Sequence, residues 1–285
     1  MNTARVKKAD FAGAWYPDSK KRCIELFEAF KEDIGENKIE VAGKIRGAIV
    51  PHAGWIYSGR TAWSALSLAS DSEVSLVVVF GEHLSSHQAP RIWDIDSCET
   101  PIRQMEYDRE VFEKILSLDT FEIETATNYV RDNGIELVLP MIAHTFPAAK
   151  LIAIGMPASN RAIELGKKIS EIIKDRKDVF FVGSTDLTHY GPSYGFTPNG
   201  LGEKSLEWVR RENDREFIEC CVRTDLEEAI KSASIRHNAC CPGAAVAAIA
   251  ASNAQKGIMT SYATSHDRNS GVPMDFVGYA GIVLI

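Results

Sequence analysis

The sequence predicts an α/β fold, a single three-layer α/β/α domain built on a mixed central sheet. Short β-branched apolar runs alternate with longer amphipathic stretches, the pattern of a sheet covered by helices on both faces. No period of 20 to 50 residues, Pro-rich tract or Gly/Ser linker divides the 285 residues, so one domain spanning 1–285 is expected. The last two apolar runs sit close together around residues 272–274, which predicts a hairpin and therefore antiparallel pairing within the sheet.

Along the chain, the runs at 46–50, 76–80, 150–154, 179–183, 259–263 and 277–284 are expected as strands, because each is short, apolar and bounded by turn residues. Amphipathic or apolar stretches at 19–34, 60–68, 109–117, 161–174, 204–222, 226–232 and 244–251 are expected as helices. The charged segment 203–215 reads as a solvated helix face.

Charge and composition exclude several classes. The net charge is −7 and no basic cluster is long enough to track a phosphate backbone, so nucleic acid is not an expected partner. The apolar stretch 243–251 is about half of the roughly 18 residues that a spanning helix needs, so no membrane span is expected. The bases Arg5, Lys7 and Lys8 precede no apolar run of the signal-peptide kind, which points to the cytoplasm. Cys23, Cys98, Cys220, Cys221, Cys240 and Cys241 show no CxxC and no disulfide framework; they read as reduced thiols. Dinucleotide, P-loop and nucleophile-elbow motifs are absent.

The chemistry concentrates where apolar runs end. Three of them lead to histidines beside Gly or Pro: His52, His83 and His189, with His87 shortly after the second. Ligands of open α/β sheets bind outside the carboxyl ends of the strands, so residues far apart in sequence converge there. A metal or acid/base cleft explains the recurrence better than chance does. Two imidazoles and an anionic third ligand leave positions open on a metal, and by residue type the third is Asp186, Glu136, Glu82 or Cys240. Cys240 precedes an apolar helical stretch, whose N-terminus would lower its thiol pKa. Asp186 and His189 suit a carboxylate-oriented acid/base pair, with capping by Asp186 as the bland alternative. Aromatics flanking the turns, Trp15, Trp55 and Tyr190 among them, are candidates for the wall of a substrate pocket.

Five elements carry a resemblance across almost the whole chain: Ala12-Gly-Ala-Trp-Tyr-Pro17, Pro51-His-Ala-Gly-Trp-Ile-Tyr-Ser-Gly59, Gly183-Ser-Thr-Asp-Leu-Thr-His-Tyr-Gly191, Asn238-Ala-Cys-Cys-Pro-Gly243 and Gly278-Tyr-Ala-Gly281. Their order resembles Memo proteins, in the bacterial and archaeal branch called AmmeMemoRadiSam system protein B. The resemblance implies a fold similar to the LigB-like class III extradiol dioxygenases. It also implies metal ligands at His52, His83 and Cys240, with Asp186 and His189 in the same cleft and Trp15 at its wall. One divalent or redox-active ion follows, iron or copper first and zinc second, in an oxidoreductase acting on a small-molecule or peptide ligand. A non-catalytic metal-binding module and a zinc-dependent hydrolase are the alternatives.

Three elements differ from the family pattern. Gly-Pro-Xaa-His is Phe80-Gly81-Glu82-His83 here, which makes His87 an alternative ligand. A family histidine is replaced by Asn133, and Cys-Gly becomes Cys240-Cys241, so either thiol fits the ligand position. A thiolate where dioxygenases keep a carboxylate softens the site toward copper or zinc.

Overall fold

The computed structural model describes residues 4–35, 39, 41–70, 73–118 and 120–285. The chain opens with β1 (Val6–Lys7) and α1 (Lys20–Ile34), then β2 (Gly47–Val50) and α2 (Trp55–Leu66). Strand β3 (Leu76–Leu84) is followed by β4 (Arg91–Asp94), β5 (Ser97–Cys98), β6 (Met105–Glu106) and α3 (Arg109–Leu116). Next come β7 (Glu122–Thr125), α4 (Asn133–Glu136), α5 (Leu139–Thr145), β8 (Lys150–Pro157), α6 (Asn160–Ile172), β9 (Val179–Ser184) and β10 (His189–Tyr190). Helices α7 (Glu203–Trp208), α8 (Asp214–Arg223), α9 (Leu226–Arg236) and α10 (Pro242–Ser252) precede β11 (Gly257–Thr264) and β12 (Phe276–Leu284).

Nine strands form the main sheet in the order β10-β12-β2-β9-β3-β8-β4-β7, with β11 also on β12. Its centre, β2-β9-β3-β8, is parallel and fully covered, which is why those strands read as continuous apolar runs. The expected hairpin is β11–β12, antiparallel, and β12 joins β2 antiparallel, so the sheet is mixed. Helices α1, α2 and α5 pack together on one face; α6 and α10 cover the other. Strands β4 and β7 were not anticipated, because Arg91, Asp94, Glu122 and Glu124 interrupt their apolar pattern. A three-stranded accessory sheet of β1, β5 and β6 was equally invisible, its strands being two residues each.

Helix α10 is Ala-rich because it is buried all round and lies close against the sheet. A Cβ added at Gly243 would meet the Pro157 carbonyl oxygen at 2.1 Å, so only glycine permits this approach. The helix thereby brings its N-terminus, and the two cysteines before it, to the carboxyl ends of the parallel strands.

The helix expected over 204–222 runs without interruption from α7 to α8 through a π-turn at Val209–Asn213. The extra residue of a π-turn lets two neighbours face inward, and here Asn213 and Asp214 are both fully buried. Asp214 Oδ1 accepts from the Thr188 backbone N–H at 3.0 Å, and Asn213 Nδ2 donates to Thr188 Oγ1 at 2.9 Å. The segment 203–215 is therefore only partly a solvated face; its inner side props the loop between Asp186 and His189. No helix among the described residues is long and apolar enough to cross a membrane.

Candidate metal centre

The carboxyl ends of β2, β3 and β9 point the same way, and α10 packs against all three strands. His52 lies two residues past β2 and is fully buried. Its backbone N–H donates to Asp186 Oδ1 at 2.8 Å, and its ring Nδ1 is 2.9 Å from Ser184 Oγ at the end of β9. That arrangement turns Nε2 toward the Cys240 thiol, 3.2 Å away.

His83 arrives by a different device. The β3–β8 register shifts between Gly81 and Leu84, and Glu82 adopts φ 65°, a conformation rare for a non-glycine residue. The bulge aims His83 into the cleft, where its Nδ1 is 2.9 Å from Asp132 Oδ2 and its ring centroid is 4.9 Å from that of His52. Burial opposes a charge on His83, but the Asp132 hydrogen bond and the Cys240 thiol outweigh it and raise its pKa to about 11. Asp132 is correspondingly held down to about 2: burial works against its charge, and the bonds from His83 and the Gly134 N–H prevail.

Glu82 turns away from the cleft, accepting from Trp93 Nε1 at 3.2 Å, with its pKa pushed up to about 8 by burial and by Glu124 and Asp132. It is not placed as a ligand. Neither is Glu136, whose carboxylate accepts from the backbone N–H of Asp10 and Phe11 and from Tyr16 Oη at 2.7–2.9 Å. His87 is exposed on the turn after β3, outside the cluster.

Cys240 and Cys241 are held by the strand-end loop. The Cys240 N–H donates to the Asp186 carbonyl at 3.1 Å, the Cys241 N–H donates to Thr185 Oγ1 at 3.0 Å, and the Asp186 N–H donates to Cys240 Sγ at 3.2 Å. Burial penalises a thiolate at Cys240, yet the adjoining thiol of Cys241 and the rings of His52 and His83 hold its pKa well below the usual thiol range. Donor atoms of His52, His83, Cys240 and Cys241 all lie within 4.8 Å of one another, a candidate metal group among the described residues.

Above this floor opens a cleft of about 570 Å³, lined by Trp15, Tyr57, His83, Asp186, His189 and Tyr194 among others. His189 Nε2 is buried without a hydrogen-bond partner, 3.8 Å from Asp186 Oδ2. Burial lowers its pKa, but Asp186 and Cys240 raise it further than burial lowers it. Asp186 does not cap a helix; its side chain accepts from the His52 backbone.

Two expected wall residues are elsewhere. Trp55 is buried between Tyr16 and Phe27, its Nε1 donating to the Leu137 carbonyl at 2.9 Å, because α2 begins at Trp55 rather than at residue 60. Tyr190 is fully buried and stacks on Phe276, its hydroxyl donating to the Gly200 carbonyl at 2.9 Å. Their neighbours Tyr57 and Tyr194 supply the aromatic wall instead. Asn133 lines the same cleft and donates through Nδ2 to the His52 carbonyl at 3.0 Å. Ser184, Asp132 and Asn133 carried no sequence signal as supports, since each acts on a histidine from another strand end.

A family model described as Memo-like protein matches residues 7–283. A MEMO1 family protein of Thermococcus onnurineus is 29% identical, over 98% of this chain and 99% of its own length. One from Pyrococcus abyssi is 27% identical over 96% and 97%. Among solved structures, an uncharacterized protein, JW3007, from Escherichia coli K12 superposes with a TM-score of 0.51 at 10% identity, covering 85% of this chain and all of its own, a likeness of fold alone. Fold, strand-end motifs and full-length matches agree that this chain belongs to the Memo family.

Proposed function

We propose that this chain is a metal-dependent oxidoreductase in which His52, His83 and Cys240 hold one redox-active ion, copper or iron, beneath a small-molecule cleft. The carrying observation is that each imidazole engages an oxygen through Nδ1, on Ser184 or Asp132, with His52 Nε2 3.2 Å from Cys240 Sγ and His83 offering a donor atom within 4.8 Å of the same group. This is the support that ligating histidines ordinarily have, an outer hydrogen bond that fixes tautomer and ring orientation. When bound, the ion supplies electron transfer and Lewis acidity. The residues do the rest. Trp15, Tyr57 and Tyr194 hold an organic ligand against the floor. His189, with its free buried Nε2 and Asp186 beside it, takes or gives a proton at that ligand.

Anaerobically purified protein analysed for metal, then assayed for O2 uptake, tests the reading. One equivalent of copper or iron, lost in His52→Ala and Cys240→Ser, is expected together with redox turnover. Failure to bind any metal sinks it. A zinc-dependent hydrolase is favoured by the thiolate in the donor set, and one equivalent of zinc with O2-independent hydrolysis would select it. The six free thiols fit a reducing compartment, and we place the protein in the cytoplasm.

A further inference from the structure

The second thiol of the Cys240–Cys241 pair plays no part in that three-ligand site, yet it faces the same point. Adjacent side chains in an extended segment diverge to opposite faces. Here they do not, because Cys241 occupies the turn into α10 with φ −130° and ψ 59°, and both backbone N–H groups are tied to the β9 loop. The two sulfurs are 3.7 Å apart, with no disulfide between them. A tetrahedral ion with metal–sulfur bonds of about 2.3 Å places two of its sulfurs about 3.8 Å apart. The pair is therefore already at the length of one tetrahedral edge. The corresponding sulfur–nitrogen edge is about 3.6 Å, and the Cys240–His52 separation of 3.2 Å needs to widen by only a few tenths of an ångström. Cys241 is buried behind Cys240 rather than open to the cleft, so it approaches from the protein side.

We propose that Cys241 is a fourth protein ligand, making this centre a two-sulfur, two-nitrogen tetrahedral site that selects a soft ion, zinc or cuprous copper, over ferrous iron. The inference rests on the reading that His52, His83 and Cys240 hold a metal; it adds the coordination number and narrows the choice of copper or iron to copper, with zinc as the other ion that fits. Donor type sets the class: thiolates paired with imidazoles in a tetrahedron suit zinc and cuprous ions, whereas ferrous oxygenase sites use two histidines and a carboxylate with open positions. On binding, the metal–sulfur bond to Cys241 replaces its S–H bond, and the proton leaves to solvent; no oxidation is involved. In this four-ligand state an exogenous ligand reaches the ion only by displacing a protein donor.

Cobalt(II) substitution of the full-length protein tests this without reference to activity. The sulfur-to-cobalt charge-transfer band grows with the number of bound thiolates, so the wild-type spectrum itself counts them. Two-thiolate intensity is expected, falling by about half in Cys241→Ala, alongside a zinc affinity weakened about tenfold or more in chelator competition. One-thiolate intensity in the wild type, unchanged in Cys241→Ala, overturns the inference and leaves the metal reading standing. No binding of cobalt, zinc, cuprous or ferrous ion by the wild type overturns the metal reading itself. Because the wild-type count is decisive alone, misfolding of the variant does not blunt the test.

Discussion

Two Cys-Cys pairs lie 20 residues apart in this chain, and they have opposite surroundings. Cys220 and Cys221 lie in the last turn of α8, both buried, and burial is the largest cause raising both thiol pKa values, with no imidazole among the groups that act on them in the described residues. Cys240 and Cys241 precede α10, meet two imidazoles, and include one thiol held far below its ordinary range. The dipeptide is identical, and what differs is the backbone that presents it. Inside a helix, successive side chains diverge by about 100° and each finds its own apolar surroundings. In the turn before a helix, tied to a strand-end loop, both sulfurs are brought to one point. A cysteine acquires reactivity from electropositive, partly open surroundings, and otherwise behaves as a small apolar residue.

The sharpest way to break this contrast is alkylation of native metal-free protein at pH 7, followed by mass spectrometry of the peptides. Cys240, partly exposed and thiolate-like, should be labelled to completion while Cys220 and Cys221 stay unmodified until denaturant is added. Labelling of the α8 pair at a comparable rate would erase the distinction. Next in size, Asp132→Asn should weaken metal binding by about 10- to 100-fold, since it removes the charged partner that orients His83. Competition titration measures it, and an unchanged affinity would show that His83 needs no such support.

The first residue of the helix carrying the inert pair gives a pH test. Asp214 is fully buried with its pKa raised to about 6, from 3.8, because burial outweighs the bonds from Thr188 and Tyr262. The folded state therefore holds this proton more tightly than the unfolded chain. Its contribution is full below about pH 4, is lost as pH rises to about 6, and amounts to at most about 3 kcal/mol. Urea midpoints across that range should show the decline, and Asp214→Asn should flatten it. Smallest is the stability difference between the pairs. Cys221→Ser buries a hydroxyl in an apolar place and should cost about 1–3 kcal/mol, whereas Cys240→Ser, at the cleft, should cost under about 1 kcal/mol. Thermal melts of metal-free protein compare them, and equal losses would contradict the assigned environments.

Much of the scaffold was legible because a buried parallel sheet writes itself as short apolar runs, and β2, β3, β8 and β9 fall where those runs predict. Histidines just past such runs meet for a topological reason, so the convergence of His52, His83 and His189 was readable without any contact being visible. The bulge at Glu82 was not readable. Nothing in Phe80-Gly-Glu-His83 says that residue 82 turns away and 83 turns in; that follows from packing against β8 and α4. Trp15 lines the cleft as expected, and the other two wall residues differ for a related reason. Periodicity marks Trp55 and Tyr190 as aromatics near turns but cannot say which face of an element meets solvent, and Tyr57 and Tyr194, two and four residues further on, take their places.

The sequence by itself determined the layers, the mixed character of the sheet and the family, because these rest on local apolar patterning and on motifs read in order. Tertiary structure decided which donor atoms share a point, which carboxylates serve as supports, and that Cys241 faces the same imidazoles as Cys240. Such distances depend on loops anchored to several strands at once, and no local pattern encodes them.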